Sequence, residues 1–114
     1  MKENSIINIS LDKAYNNQED FWTDNQALVY SKIIEIYSKF IDSEEQSLGM
    51  TVAVKIYGDE QKIYFGFDKD YPEILIDLLM PYYIECEEYE ICAILRDMYQ
   101  SLVVIIYNKN LENK

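Results

Sequence analysis

At 114 residues the chain has the length of a single domain, 1–114, which buries roughly two-thirds of its unfolded surface and needs no disulfide or metal to hold a core. Its 49% hydrophobic and 14% aromatic content excludes a wholly disordered chain, and its longest unbroken apolar run, Leu102 to Tyr107, is too short to cross a bilayer. Twenty-one acidic against ten basic residues leave a net charge of −11, a field that repels phosphate backbones and anionic lipid and speeds encounters with basic partners.

The start, Met1-Lys2-Glu3-Asn4, lacks the basic opening and apolar core of a secretory signal, so the expected compartment is the cytoplasm. Residues 1–20 are the least determined part of the pattern. Ile6, Ile7, Ile9 and Leu11 among Asn, Ser and Gln read as a short edge strand, followed by a polar loop through Asn16-Asn17-Gln18. Thr23-Asp24-Asn25-Gln26 has the spacing of a capping box, with Trp22 as a staple, and predicts a helix from that point. Val29, Ile33, Ile36 and Phe40 make one row at helical spacing, and Tyr30, Ile34, Tyr37 and Ile41 the next, a stripe wide enough to pack across a sheet.

A polar connection, Asp42 to Ser47, leads through Gly49 into the stretch Thr51 to Phe67. There Val52, Val54 and Ile56, then Ile63, Phe65 and Phe67, alternate on either side of Gly58-Asp59, which predicts a β-hairpin with one apolar face. Pro72 suits the first turn of a helix through Ile74, Leu75, Leu78 and Leu79, and Pro81 is expected to end it. From about Glu85 a further helix is expected, with Ile84, Ile91, Leu95, Met98 and Leu102 on one stripe. The run 102–107, apolar on both faces, reads as a C-terminal strand pairing with the hairpin, and 108–114 as a polar tail. The expected fold class is therefore α+β: an antiparallel sheet built on the 51–67 hairpin plus the C-terminal strand, packed by an N-terminal helix and two further helices.

Chemistry is constrained mostly by what the composition lacks. Without histidine there is no Cys-His or Ser-His-Asp pair and no histidine ligand for zinc, and no carboxylate pair stands out by its spacing, so no enzyme activity is expected. Cys86 and Cys92, six residues apart, lie beyond disulfide reach on a helix or a strand and read as free thiols. Asp68-Lys69-Asp70 opens like a calcium loop, but Pro72 stands where the third oxygen ligand belongs, so neither metal nor cofactor is expected.

The densest acidic and aromatic cluster is Tyr82, Tyr83, Glu85, Glu87, Glu88, Tyr89 and Glu90. Acids in a first helical turn complement its dipole by roughly 0.3–1 kcal/mol each, yet like-charged neighbours three apart give back about 0.2–0.5 kcal/mol per pair. Four glutamates exceed what one dipole uses, and tyrosines between them supply flat amphipathic contact area, which marks the cluster as the expected partner-binding surface. The expected function is an acidic inhibitor or immunity-type protein that neutralises a basic partner such as a nuclease toxin, without contacting nucleic acid or membrane. Two other expectations compete: a phage-type nucleic-acid mimic that blocks a defence protein, and a self-associating module that forms a homodimer through the sheet edge or the tyrosine-rich face.

Overall fold

The computed structural model describes residues 5–112 and is of the α+β class. The element order is β1 (Ser5–Tyr15), α1 (Gln18–Asp42), β2 (Ser47–Ile56), β3 (Asp59–Asp68), a single π turn (Leu75–Leu79) running into α2 (Met80–Glu85), and α3 (Tyr89–Glu112). Contacts gather into two compact units, one of Met1–Ile33 with Ser47–Phe67 and one of Ile34–Gln46 with Asp68–Lys114, and α1 supplies residues to both.

In the first unit the sheet order is β1-β2-β3, with β2 central. The sheet is mixed rather than antiparallel, because β1 runs parallel to β2, with Ile7 opposite Met50 and Ile9 opposite Val52. A parallel pair requires a crossover between its strands, and α1 is that crossover. β1 carries two more residues than β2 between the pairs Ser10 to Ala53 and Ala14 to Lys55, so the edge strand bulges there. β2 buries Leu48, Met50, Val52, Val54 and Ile56, the alternation expected of a strand with one covered face. The hairpin turn is Tyr57-Gly58 rather than Gly58-Asp59: both residues have positive φ, 57° and 80°, as a two-residue turn matched to the twist of its strands demands.

Helix α1 begins five residues before the Thr23 box. Asn17 caps it, its Oδ1 accepting from the Asp20 N–H at 2.7 Å while its Nδ2 donates to the Asp20 carboxylate at 3.3 Å. Thr23 instead donates its hydroxyl to the Glu19 carbonyl within the helix, so the later box is spent on an interior turn. The earlier start lets Phe21 and Asn25 extend the row Val29, Ile33, and aromatic edges fasten this half of the helix to the sheet: Tyr15 to Phe21 at 5.8 Å and Trp22 to Phe65 at 5.7 Å. Asn25, the one buried polar residue among those described, donates to the Tyr15 hydroxyl and the Phe21 carbonyl, both at 2.9 Å.

The second unit buries Ile36, Tyr37 and Phe40 from α1, together with Leu75, Leu79, Tyr83, Leu95 and Leu102. The Tyr37 hydroxyl shares its proton between the carbonyls of Tyr71, at 2.9 Å, and Asp68, at 3.3 Å, and burial pushes its pKa up. Gln46 closes the same unit, its carbonyl accepting from the Lys69 N–H at 2.8 Å and its Nε2 donating to Asp68 at 2.7 Å. Asp68 also accepts from the Asp70 N–H, so the carboxylate that opened a calcium-like pattern shapes a turn.

Pro81 does not end its helix. The turn before it is a π turn, in which the Met80 N–H reaches back to the Leu75 carbonyl, and Pro81 sits in the first turn of α2, where its missing donor is tolerated. The C-terminal strand is likewise absent: 102–107 lies inside α3, which continues through the supposed tail to Glu112. A run apolar on every side has no period to separate strand from helix, and no Gly or Pro interrupts the chain from Tyr89 onward, so the helix propagates. α3 packs on the π turn and α2, and its buried residues are Leu95 and Leu102, seven apart.

Ile33→Ala should therefore lower unfolding stability by roughly 2–5 kcal/mol, whereas Val104→Ala, on the exposed side of α3, should stay within about 0.5 kcal/mol of wild type. Urea unfolding of the two variants checks both the α1 register and the helical assignment of 102–107.

Candidate partner-binding site

The acidic run does not lie in the first turns of one helix. It straddles a corner in the second unit: Glu85 is the last residue of α2, Cys86 and Glu87 form a turn, and Glu88 precedes α3, whose first turn holds Tyr89 and Glu90. Only Glu90 lies within the first turn of α3, so dipole compensation accounts for less of the cluster than the sequence pattern allows.

The corner is built by a specific set of backbone bonds. The Glu88 N–H donates to the Tyr83 carbonyl at 2.9 Å, the Glu87 N–H to Ile84 at 3.0 Å, and the Cys86 N–H to Tyr82 at 3.1 Å. The first two bonds are the pair of a Schellman motif, whose C′ position adopts left-handed backbone and is ordinarily glycine. Here that position is Glu87, at φ 59°. A carboxylate side chain is thus carried on backbone that disfavours it, directed outward beside Glu85, Cys86 and Glu88, all exposed.

The predicted tyrosines divide. Tyr83 points inward and is 7% exposed, a core residue edge-on to Tyr82 at 5.0 Å. Tyr82 is half-buried and Tyr89 is 62% exposed. Ile84, which the cluster assignment passed over, is half exposed beside Glu85. Its place in a helical apolar row hid it, because the row's period was carried across a corner where the helix stops. The surface at the corner is thus Tyr82, Ile84 and Tyr89 among Glu85, Glu87, Glu88 and Glu90. Cys86 and Cys92 are both free.

Two clefts open in the first unit. One, of about 340 Å³, is lined by Lys13, Ala14, Tyr15, Asn16, Asp20, Thr23 and Asp24. Three of its polar groups are joined to one another: Asp24 accepts from the Tyr15 hydroxyl at 2.8 Å and from Lys13 Nζ at 3.1 Å. The Tyr15 hydroxyl, followed by the Lys13 ammonium, holds the Asp24 carboxyl below its ordinary range, and the bond to Asp24 raises Lys13 in turn. These contacts tie the end of β1 to the start of α1. The second cleft, about 270 Å³, sits at the β1 bulge between Ser10, Asp12, Lys55 and Glu60.

Two outcomes follow. Because Gly adopts left-handed backbone without the Cβ penalty, Glu87→Gly should leave stability unchanged or raise it by up to about 1 kcal/mol, while Glu87→Val should lower it, both read from urea midpoints. Asp24, with its folded pKa depressed, contributes stability that is present above its unfolded pKa and lost as pH falls through the folded value. Asp24→Asn should therefore show a shallower loss of melting temperature than wild type on acidification below pH ~4.

Compared with known proteins, the chain matches no family model, no curated protein and no solved structure.

Proposed function

We propose that the protein is an acidic inhibitor of the immunity type, which binds and neutralises a basic partner such as a nuclease toxin. The observation that carries this reading is the segregation of charge. The first unit holds seven acidic and five basic residues, a net of −2, whereas the second holds fourteen acidic and five basic, a net of −9. Acidity that served solubility alone has no reason to gather in one half of the chain. A field concentrated in one unit steers a cationic partner toward that unit, and a nuclease cleft made to attract phosphate is such a partner.

The corner supplies what steering lacks. Ile84 and Tyr89 are exposed apolar residues at a corner that also exposes four glutamates, and a few such side chains, once desolvated, can hold a complex that charge has brought together. Nothing in this reading uses a bound metal or cofactor, and binding is the whole activity.

The test uses two double variants of equal charge. With a basic nuclease retained by the protein, Glu85→Lys with Glu88→Lys should slow association several-fold and flatten its salt dependence, because steering acts over about a Debye length of ~8–10 Å. Glu44→Lys with Glu45→Lys, in the loop after α1, should do much less. Tyr89→Ala should instead raise the dissociation rate. Equal effects of the two double variants would mean that net charge alone governs binding and would defeat the assignment.

A further inference from the structure

The corner is too short to form one side of a stable interface, which takes roughly 800 Å² per partner. The surface that continues it is the outer side of α3. At 100° per residue, Tyr89 and Tyr107 are five whole turns apart and share one azimuth, roughly 27 Å from each other along the helix. Leu95 and Leu102 are buried on the opposite side. Around the azimuth of Tyr107, which is 63% exposed, stand Val103, Val104 (56% exposed) and Leu111, an apolar end to a face whose other end is the acidic corner.

Resting on the inhibitor reading, we propose that the outer face of α3 is the partner-docking surface, and that its occupant is a basic amphipathic segment. The cationic end of that segment would meet Glu85, Glu87, Glu88 and Glu90, and its apolar side would cover Val104, Tyr107 and Leu111. Charge selects this occupant over a second copy of the chain docked face to face. Among the described residues the one cation on this face is Arg96, which is paired with Asp97 at 3.3 Å. Lys109 continues the Leu95, Leu102 row at the next seven-residue step, on the inward side, where its Nζ donates to Gln46 at 3.1 Å. A second copy docked by this same face therefore brings no unpaired cation, among the described residues, to the acidic end, whereas a basic segment does. The apolar end then accounts for a feature that acidity alone leaves unexplained: 102–107 is apolar all round, although only one side of it is buried.

Two dye-labelled 18-residue peptides serve as probes, followed by fluorescence anisotropy. One has Lys and Leu arranged so that the leucines fall at helical spacing, and the other is an oligolysine of equal charge. The double variant Tyr107→Ala with Leu111→Ala replaces exposed side chains and should keep the circular dichroism and melting temperature of wild type; Val104→Ser is a second variant on the same face. Both should weaken the Lys/Leu peptide by at least about tenfold and leave oligolysine unchanged, since the lost contacts are apolar. If Glu85→Lys with Glu88→Lys weakens both peptides while the α3 variants change neither, the inhibitor reading stands and the docking face proposed here does not. If neither peptide binds the wild-type chain, both fall. If sedimentation instead shows a dimer that Tyr107→Ala with Leu111→Ala dissociates, the face belongs to a second copy and the proposal is overturned.

Discussion

The helical period of α1 is the constraint on which both units depend. Phe21, Asn25, Val29, Ile33, Ile36 and Phe40 succeed one another at steps of three and four over a 25-residue helix, and every one of them is buried. The first four serve the core beneath the sheet, and Ile36 and Phe40, with Tyr37, serve the core around the π turn and α3. Each fully buried side chain of this size is worth about 1.5–3 kcal/mol, so a break in this helix would cost twice, once in each core. Asn25 is the polar member of the row, and its burial is offset by two hydrogen bonds of its amide group.

What could be read from the residues was whatever had a period and a single exposed side. The rows of α1 and the alternation of β2 met that condition, and the structure buries Val29, Ile33, Ile36 and Phe40 and Val52, Val54 and Ile56 as their spacing requires. The edge strand was visible in Ile7 and Ile9, but its direction was not, since parallel pairing is decided by where the crossover lands and not by the strand's own residues. The true cap at Asn17 lost to a better-looking box at Thr23, because both satisfy the same local chemistry and only Phe21, buried one turn earlier, discriminates between them. Leu102 to Tyr107 failed for the opposite reason: six apolar residues in a row carry no period at all. At the candidate site, the sequence pointed to the acidic run but gave no sign of the corner inside it, since the left-handed position that makes the turn is filled by Glu87, where only a glycine would have signalled it.

Charge and backbone meet at that corner. The second unit carries most of the net charge, and within it the turn after α2 places a glutamate where the chain would be more at ease with glycine. Local strain of this kind persists when the surrounding fold over-determines it, here through the three backbone bonds from Cys86, Glu87 and Glu88 to the end of α2. The same exchange of comfort for a side chain recurs at the hairpin tip, where Tyr57 holds positive φ while 72% exposed and donates its N–H to the Tyr15 carbonyl at 3.0 Å.

The parallel pairing of β1 also sets an order of events. Ile7 and Ile9 leave the ribosome well before Met50 and Val52, their partners across the ladder, and α1 must be made in between. The β2 to β3 hairpin closes locally, but β1 waits for a loop of some forty residues to be bridged, and such closure is slow because its entropic cost comes before any contact repays it. In the nascent chain, β1 is thus an apolar strand with neither edge paired, the state most open to adhesion with other chains. Asn8, Ser10, Asp12 and Lys13, spaced among its apolar residues, are polar interruptions of the kind that keep such a strand from sticking until its place beside β2 exists.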